Sequence, residues 1–248
     1  MPDVPSDALP AAAATARALA ALVARLSERL STGRDADARC RGACGLASED
    51  AAMIRSQADV GALAARLITA VQRLARAAEQ GSVVRTFYAT ATEASTAAPS
   101  SASTILTQRF GLARALAAAL ECALLTEAFL AEGRAGAADR RAALDARARI
   151  RTAFDGAVDR IARELGPEAG ELLTATAQRM SRHLAETAAT LKPVVRVETA
   201  TSYPPTALAW RLYGDPGRAG ELLASARCGT PMFMPTVFEA PSPYAVAR

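Results

Sequence analysis

Large apolar side chains recur every three or four residues over most of the first 190 positions. Leu19, Leu22, Leu26 and Leu30, for example, are separated by three and four residues. This spacing places them on one face of an α-helix. Alanine, which supplies about a quarter of the chain, favours the same structure. The sequence therefore predicts a mainly α-helical protein.

Stripes of this kind predict five or six helices before residue 192. The clearest of them cover approximately residues 8–30, 48–81, 106–133, 150–165 and 167–191. Their alanine-rich faces allow helices to approach closely, as in an antiparallel bundle or a set of long hairpins. The predicted fold class is therefore an alanine-rich helical bundle or long helical hairpins, followed by a small β-α-α-β module.

The segments between these stripes carry weaker signals. Residues 33–47, charged and glycine-containing, are predicted to form a loop, with Ser48 as the N-cap of the helix that follows. Residues 83–96 are ambiguous, because Val, Phe and Tyr favour a strand while the alanines favour a helix. The Pro/Ser-rich segment 99–103 is the best candidate for an internal linker.

The charge pattern does not indicate a nucleic-acid-binding protein. The net charge is only +4, and acidic residues are interleaved with the arginines throughout. Asp145 precedes Arg149 by four residues, and Asp159 precedes Arg163 in the same way. Such pairs stabilise a solvated helix face, whereas a nucleic-acid binder gathers its positive charge into a patch.

No membrane span or secretory signal is expected from the sequence. The two longest apolar stretches, residues 8–26 and 112–131, are interrupted by charged residues such as Arg17 and Glu121. A spanning helix needs about 20 nearly uncharged residues. The N-terminal residues MPDVPSD are acidic, whereas a secretory signal begins with basic residues.

The four cysteines are predicted to be reduced thiols. Cys40 and Cys44 form a C-x3-C pair, while Cys122 and Cys228 lie far from them in the sequence. A structural zinc site needs a second pair of ligands at similar spacing, and the only histidine is His183. No metal site and no cofactor are therefore predicted.

No catalytic group of residues is evident either. Glu164, Glu168 and Glu171 flank a Gly-Pro helix junction, where acidic side chains favour the start of a helix. His183 has no serine or cysteine partner indicated by the sequence, and residues 133–136 lack the lysine of a phosphate-binding loop. The protein is therefore not predicted to be an enzyme.

The composition changes after Pro193. Six of the eleven aromatic residues lie beyond this point. Residues 194–199 favour a strand, residues 207–213 and 216–227 two short helices, and residues 236–239 a returning strand. This order predicts a compact β-α-α-β module at residues 193–241.

The module contains a recognisable motif. Residues 203–219 read YPPTALAWRLYGDPGRA, and residues 229–235 read GTPMFMP. The first segment resembles the C-terminal signature of the tail proteins of Mu-like phages, a family historically called the DNA-circularisation proteins. The second segment is similar to the turn that follows this signature, without its usual histidine and glycine. The β-α-α-β order around Tyr-Gly-Asp also resembles a LysM module.

The resemblance is specific over residues 193–241 and softer over residues 103–191, where the family also has helices rich in alanine and arginine. The family's N-terminal β-rich domain has no counterpart in residues 1–98. The predicted organisation is an N-terminal helical region, a long-helix region, the LysM-like module and a short tail, at residues 1–98, 99–192, 193–241 and 242–248.

Two groups of residues in the module have predicted roles, one in its core and one in binding a partner. The first forms or shapes its core: Trp210, Tyr213, Gly214, Asp215 and Leu222. The second lies in loops that are candidates for binding a partner: Tyr203, Pro205, Met232, Phe233 and Met234. Exposed apolar loops of this composition are typical of protein contacts.

The resemblance implies a structural component of a contractile phage tail or a phage-tail-like particle, at the baseplate or hub end of the tube. The implied partners are hub, tube and wedge proteins, with several copies of this chain in a ring. The chain would be assembled in the bacterial cytoplasm and reside in the tail particle, without direct binding to nucleic acid or membrane. The alternative is a LysM protein that binds peptidoglycan.

Overall fold

The computed structural model describes residues 8–191, 193–226 and 232–242. They belong to two compact units. The helical unit consists of residues up to 135 and of residues 148–181. The C-terminal unit consists of residues 136–147 and of the chain from residue 182 onward. Cys228 and the predicted tail beyond Ser242 lie outside the described residues.

The described residues are mostly helical, and the prediction of a mainly α protein is confirmed. The helices before residue 191 are α1 Leu9–Arg29, α2 Arg34–Asp50, α3 Gln57–Ala77, α4 Gln80–Ser95, α5 Thr104–Arg109, α6 Gly111–Arg134, α7 Arg140–Asp155, α8 Val158–Leu165 and α9 Pro167–Thr190. They are followed by β1 Val194–Glu198, α10 Pro205–Tyr213, α11 Ala219–Ala226 and β2 Val237–Pro241. Helices α7 and α9 each contribute residues to both units.

Helix α6 is the centre of the helical unit. Helices α1, α3, α4 and α8 all pack against it. Its buried residues are therefore found around most of its circumference, including Leu116, Leu120, Leu124 and Phe129. A helix that is apolar on nearly all sides is typical of the core of a helical protein.

Helix α1 is the one described helix that is long and apolar enough to cross a membrane by length and composition. Its most apolar 18-residue window has a mean hydropathy of 1.4, and half of that window is buried within the protein. The buried face includes Leu19, Val23 and Leu26. Core helices meet the same length and composition criteria.

The predicted loop at residues 33–47 is wrong, because α2 covers this segment. Cys40, Cys44 and Ala47 are buried at offsets of four and seven residues, on the face that packs against α1 and α3. These side chains are small, so their stripe is far less apolar than a row of leucines. The charged residues between them further conceal the helical pattern.

The prediction that Ser48 is an N-cap is wrong, because Ser48 lies near the end of α2. The next long helix begins after Ser56, whose hydroxyl accepts a hydrogen bond from the Asp59 backbone N–H. The Asp59 carboxylate in turn accepts from the backbone N–H of Ser56, which completes a capping box. The Asp59 carboxylate also accepts a hydrogen bond from the Arg55 backbone N–H at 2.9 Å, and the hydrogen bonds to this carboxylate, above all that from Arg55, lower its pKa.

The ambiguous segment at residues 83–96 is helical and belongs to α4. Val83, Phe87, Ala91 and Ala94 are buried at offsets of 4, 8 and 11 residues, which only a helix places on one face. Tertiary packing against α6 therefore overrides the local preference for a strand. Gly81, the predicted end of the preceding helix, lies in the first turn of α4.

The Pro/Ser-rich segment at residues 99–103 is non-helical, as predicted, and connects α4 to α5. Both flanking helices belong to the helical unit, so this linker is a loop within one unit. The helix predicted from residue 106 is interrupted at Phe110, which separates α5 from α6. The predicted stop at Gly166 is confirmed, because its φ of 97° is strained for residues with a side chain.

The C-terminal unit contains the β-α-α-β order that the sequence predicts. Its two strands form an antiparallel sheet in which Val194 pairs with Pro241 and Glu198 with Val237. The Ser242 backbone N–H extends the pairing by donating to the carbonyl of Pro193 at 2.7 Å. A two-stranded sheet alone is barely stable in water, so this one depends on the helices beside it.

Candidate functional site

The core of the module is small. It consists of Leu208 and Ala209 on α10, Leu222 on α11, Met234 in the following loop, and Phe238 and Ala240 on β2. Leu222 and Met234 have no exposed surface. The predicted core position of Leu222 is therefore confirmed. Few side chains fill this core, so each of them carries a large part of the module's buried apolar area.

A tight turn joins α10 to the second helical segment, as the Tyr-Gly-Asp motif predicts. Gly214 ends α10 with a φ of 70°, in the left-handed conformation that favours glycine. The Asp215 carboxylate then accepts a hydrogen bond from the Gly217 backbone N–H at 2.8 Å and caps the segment that begins with Pro216. Both predicted roles are confirmed, and the turn fixes the direction in which α11 leaves α10.

Tyr213 ties this turn to the sheet. Its ring packs against the module core, and its hydroxyl donates a hydrogen bond to the carbonyl of Pro241 at 2.9 Å. Burial raises the pKa of this hydroxyl. The guanidinium of Arg218 lies 3.8 Å from the ring centroid and covers the outer side of the ring. Tyr213 thus links both helices to β2.

The predicted core position of Trp210 is wrong, because 62% of this residue is exposed. Leu208, Ala209 and Leu212 face the core of the module. Trp210 follows Leu208 by two positions, which turns its side chain about 200° around the helix from Leu208. The sequence pattern of a short apolar helix did not show which of its large residues faces outward.

The structure brings together the two loops that the sequence singles out. The Met234 backbone N–H donates to the carbonyl of Tyr203 at 2.9 Å, and the Ser202 hydroxyl donates to the carbonyl of Met234 at 2.5 Å. The Thr199 backbone N–H donates to the carbonyl of Thr236 at 2.7 Å. We call residues 199–204 and 232–236 the paired loops, since these bonds hold them against each other.

The five predicted binding residues differ in their exposure. Met232 and Phe233 are 70% and 55% exposed, and Tyr203 is half-buried beneath the guanidinium of Arg211. Pro205 and Met234 are buried, so their assignment to an exposed binding surface is wrong. Met234 is buried because it belongs to the module core with Leu222 and Phe238, whereas the loop residues on either side of it are exposed.

The paired loops therefore present large apolar side chains on a fixed backbone. Met232 and Phe233 lie directly before the buried Met234, whose backbone is held by two hydrogen bonds. Trp210 adds a third large exposed apolar side chain on α10. Aromatic residues and methionine are enriched at the centres of protein interfaces. The arrangement is chemically suited to contact with another surface.

The helical unit contains a different kind of feature, a cleft of about 710 Å³. Two buried glutamates of α6 are paired near it: Glu121 with Arg160 and Glu132 with Arg149, each through two hydrogen bonds. Tyr88 also lines the cleft, and its buried hydroxyl has no hydrogen-bond partner among the residues that the structure describes. Burial raises the pKa of this hydroxyl. These glutamate–arginine pairs were not predicted from the sequence.

The residues considered for catalysis lie on α8 and α9. His183 is exposed on α9, and Glu164 accepts a hydrogen bond from Arg114 at 3.0 Å. Glu168 lies in the first turn of α9, as expected of an acidic residue beside a helix N-terminus. Within the described ranges, no group of three or more His, Cys, Asp or Glu residues could hold a metal ion.

No protein-family model matches the chain, and no curated protein matches it in sequence. The resemblance to the tail proteins of Mu-like phages therefore depends on the C-terminal motif itself. Within that motif, the Tyr-Gly-Asp turn forms the connection between two helical segments.

Proposed function

We propose that the protein is a structural component of a contractile phage tail or a phage-tail-like particle, located at the baseplate or hub end of the tube. The observation that carries this proposal is the pair of loops held together in the module, with Met232 and Phe233 exposed on them. These loops overlap the two parts of the motif that resembles the tail-protein family, because residues 203–204 belong to the first part and residues 232–235 to the second.

The mechanism would be assembly. The module's fold rests on residues other than the exposed ones, since Leu222 and Met234 fill the core while Met232 and Phe233 point outward. Its outer surface is therefore available for a neighbouring hub, tube or wedge protein. Baseplate proteins form closed rings, so we expect several copies per particle. As part of this proposal, we also interpret the β-α-α-β module as LysM-like.

Binding of peptidoglycan by the LysM-like module is a second candidate, favoured by the exposure of Trp210. An exposed indole can stack on the apolar face of a sugar ring, because it combines a large flat surface with a polar N–H group. The paired loops, however, present Met232 and Phe233, which offer few side-chain hydrogen-bonding groups to orient a sugar. Assembly with protein partners is therefore the favoured function.

Quantitative mass spectrometry of tail particles purified from the source cells tests the proposal. We expect the chain in intact particles at a fixed molar ratio to a ring protein. Its presence only in the soluble fraction would contradict a structural role in the tail. A pull-down with purified peptidoglycan tests the second candidate, with Trp210→Ala as the variant that should lose binding if the indole stacks on sugar.

A further inference from the structure

Two thiols of the helical unit lie side by side on α2. The Sγ atoms of Cys40 and Cys44 are 4.0 Å apart, and both residues are buried. They are four residues apart in the sequence, so consecutive turns of one helix present them on the same face. The Cys40 thiol also lies 3.9 Å from the carbonyl oxygen of Val23 on α1. The pair is therefore enclosed between helices.

The number of ligands limits what this pair can bind. No third His, Cys, Asp or Glu joins the two thiols within the part of the chain that the structure describes. A structural zinc ion takes four ligands, so two thiols alone do not complete a zinc site. Soft thiolate ligands select ions such as Cu(I), which is the ion in this class suited to two sulfur ligands without further donors.

We propose that Cys40 and Cys44 form a two-coordinate site for a soft monovalent cation of the Cu(I) type. Bonds between first-row metals and thiolates are about 2.3 Å long, as in zinc sites. Two sulfurs on opposite sides of one ion are then about 4.6 Å apart, so the present separation of 4.0 Å needs to grow by only about 0.6 Å. Rotation about the Cα–Cβ bonds changes the distance between the two Sγ atoms, so this increase does not require the backbone of the helix to move.

The surroundings of Cys40 fit the charge of such a complex. Binding of one Cu(I) ion by two thiols releases two protons and leaves a complex with one net negative charge. Cys40 lines a pocket of about 300 Å³ between α2 and α3. Arg39, Arg73 and Arg76 line the same pocket. Their positive charges stabilise a negative complex that includes the Cys40 sulfur at the edge of this pocket.

Competition with a chromophoric chelator tests the proposal on the full chain. The fully reduced protein is titrated without oxygen against Cu(I) held by bicinchoninate, and the metal transferred is read from the chelator's absorbance. We expect one Cu(I) per chain. Cys40→Ser and Cys44→Ser should each weaken binding by about tenfold or more, whereas Cys122→Ser, which removes another buried thiol, should leave it unchanged.

Protection from alkylation separates loss of the site from loss of the fold. In the unaltered protein, Cu(I) should slow the reaction of iodoacetamide with Cys40 and Cys44 and leave the reaction of Cys122 unchanged. Equal protection of all three thiols, or unchanged binding in Cys40→Ser and Cys44→Ser, would overturn the proposal. Recovery of only a Cys40–Cys44 disulfide under the anaerobic conditions would do the same.

Discussion

The helical unit and the C-terminal module are stabilised in different ways. In the helical unit, α6 packs against several other helices, α1, α3, α4 and α8 among them, and the core is shared among many leucines and alanines. Among its described residues, the module has a core of six buried side chains, held in place by a left-handed glycine, an aspartate cap and a tyrosine hydrogen bond. Truncation of one core side chain should therefore destabilise the module more than the helical unit.

The two regions also differ in the burial of their ion pairs. The helical unit buries carboxylates of α6 and pairs two of them with arginines of α7 and α8. Ion pairs in the module, such as Arg196 with Glu198, lie on its exposed surface. A buried pair holds helices in a defined register, whereas an exposed pair contributes little to stability. The helical unit thus has buried ion pairs in its interior, whereas the module is a small fold with exposed ion pairs and exposed apolar residues.

The largest expected effect is the loss of the module core. Leu222→Ala should destabilise the module by about 3 kcal/mol, because the removed atoms leave a cavity that neighbouring side chains fill only in part. Hydrogen exchange followed by mass spectrometry should show faster exchange in α10 and α11, while α6 exchanges as before.

Trp210→Ala is the control for this change. The exposed indole contributes little to the core, so its loss should alter exchange in α10 and α11 by less than the equivalent of about 0.5 kcal/mol. A destabilisation equal to that of Leu222→Ala would show that Trp210 belongs to the core after all.

The next effect concerns the buried ion pairs. Arg160→Ala should destabilise the helical unit by about 2 kcal/mol, because it leaves the carboxylate of Glu121 buried without its partner. The value is below that of a fully buried pair since the Arg160 side chain is 41% exposed. Urea unfolding followed by circular dichroism measures it.

Arg151→Ala provides the comparison, because Arg151 forms an exposed pair with Asp155 on α7. Its loss should cost less than about 0.5 kcal/mol. Equal costs for the two arginine variants would mean that burial of Glu121 does not decide the effect.

A smaller effect tests where the third helix begins. Ser56→Ala should destabilise the helical unit by about 1 kcal/mol, because it removes the hydroxyl that accepts from the Asp59 backbone N–H. Ser48→Ala is the matched variant. It lies inside α2 and should be neutral or slightly stabilising, since alanine favours a helix interior. Thermal unfolding measures both variants. A larger loss of stability in Ser48→Ala than in Ser56→Ala would support the helix start at Ser48 that the sequence predicts.

The smallest expected effect is a gain in stability. Glu127 is buried on α6 and has no ion pair within 4.0 Å among the described residues. Burial raises the pKa of its carboxyl, an effect that the charges of Arg134 and Arg76 partly offset. Glu127→Gln should therefore stabilise the protein at pH 7 by about 0.5–1 kcal/mol, by removing a charge that the interior disfavours.

The sign of the pH dependence follows from this shift. A carboxyl whose pKa is higher in the folded state binds its proton more tightly there, so Glu127 costs nothing below its unfolded pKa of about 4.3. The stability difference between Glu127→Gln and the unaltered protein should grow as the pH rises from 4 to 7. Glu121→Gln, which weakens a paired carboxylate, should instead destabilise at pH 7. Denaturant unfolding at both pH values measures both variants.

The sequence predicted elements where large apolar residues dominate and where special residues end a helix. Gly166 and Gly214 end helices where expected, and Pro167 begins one. It did not predict α2, whose buried stripe consists of small residues such as Cys40 and Ala47. A small side chain gives a weak signal, even though its burial allows neighbouring helices to approach closely.

The candidate site was predicted in position but not in detail. The sequence predicts the two loops, and hydrogen bonds such as that from the Met234 backbone N–H to the carbonyl of Tyr203 hold them together. Which side chain points outward depends on packing between elements distant in sequence. Trp210 was therefore predicted to be buried and Met234 to be exposed, whereas the structure shows the reverse.

The most direct test of this account compares exposed apolar residues of the two regions in particle assembly. The double variant Met232→Ser/Phe233→Ser changes the paired loops, and Leu46→Ser/Met53→Ser changes two exposed residues of the helical unit. Each is supplied to cells lacking the unaltered chain, and its amount in purified tail particles is measured by mass spectrometry.

We expect the loop variant to fall by about tenfold or more, the change that about 1.4 kcal/mol of lost binding produces, while the helical-unit variant remains near the unaltered level. Normal incorporation of the loop variant, with its fold intact by hydrogen exchange, would contradict the account.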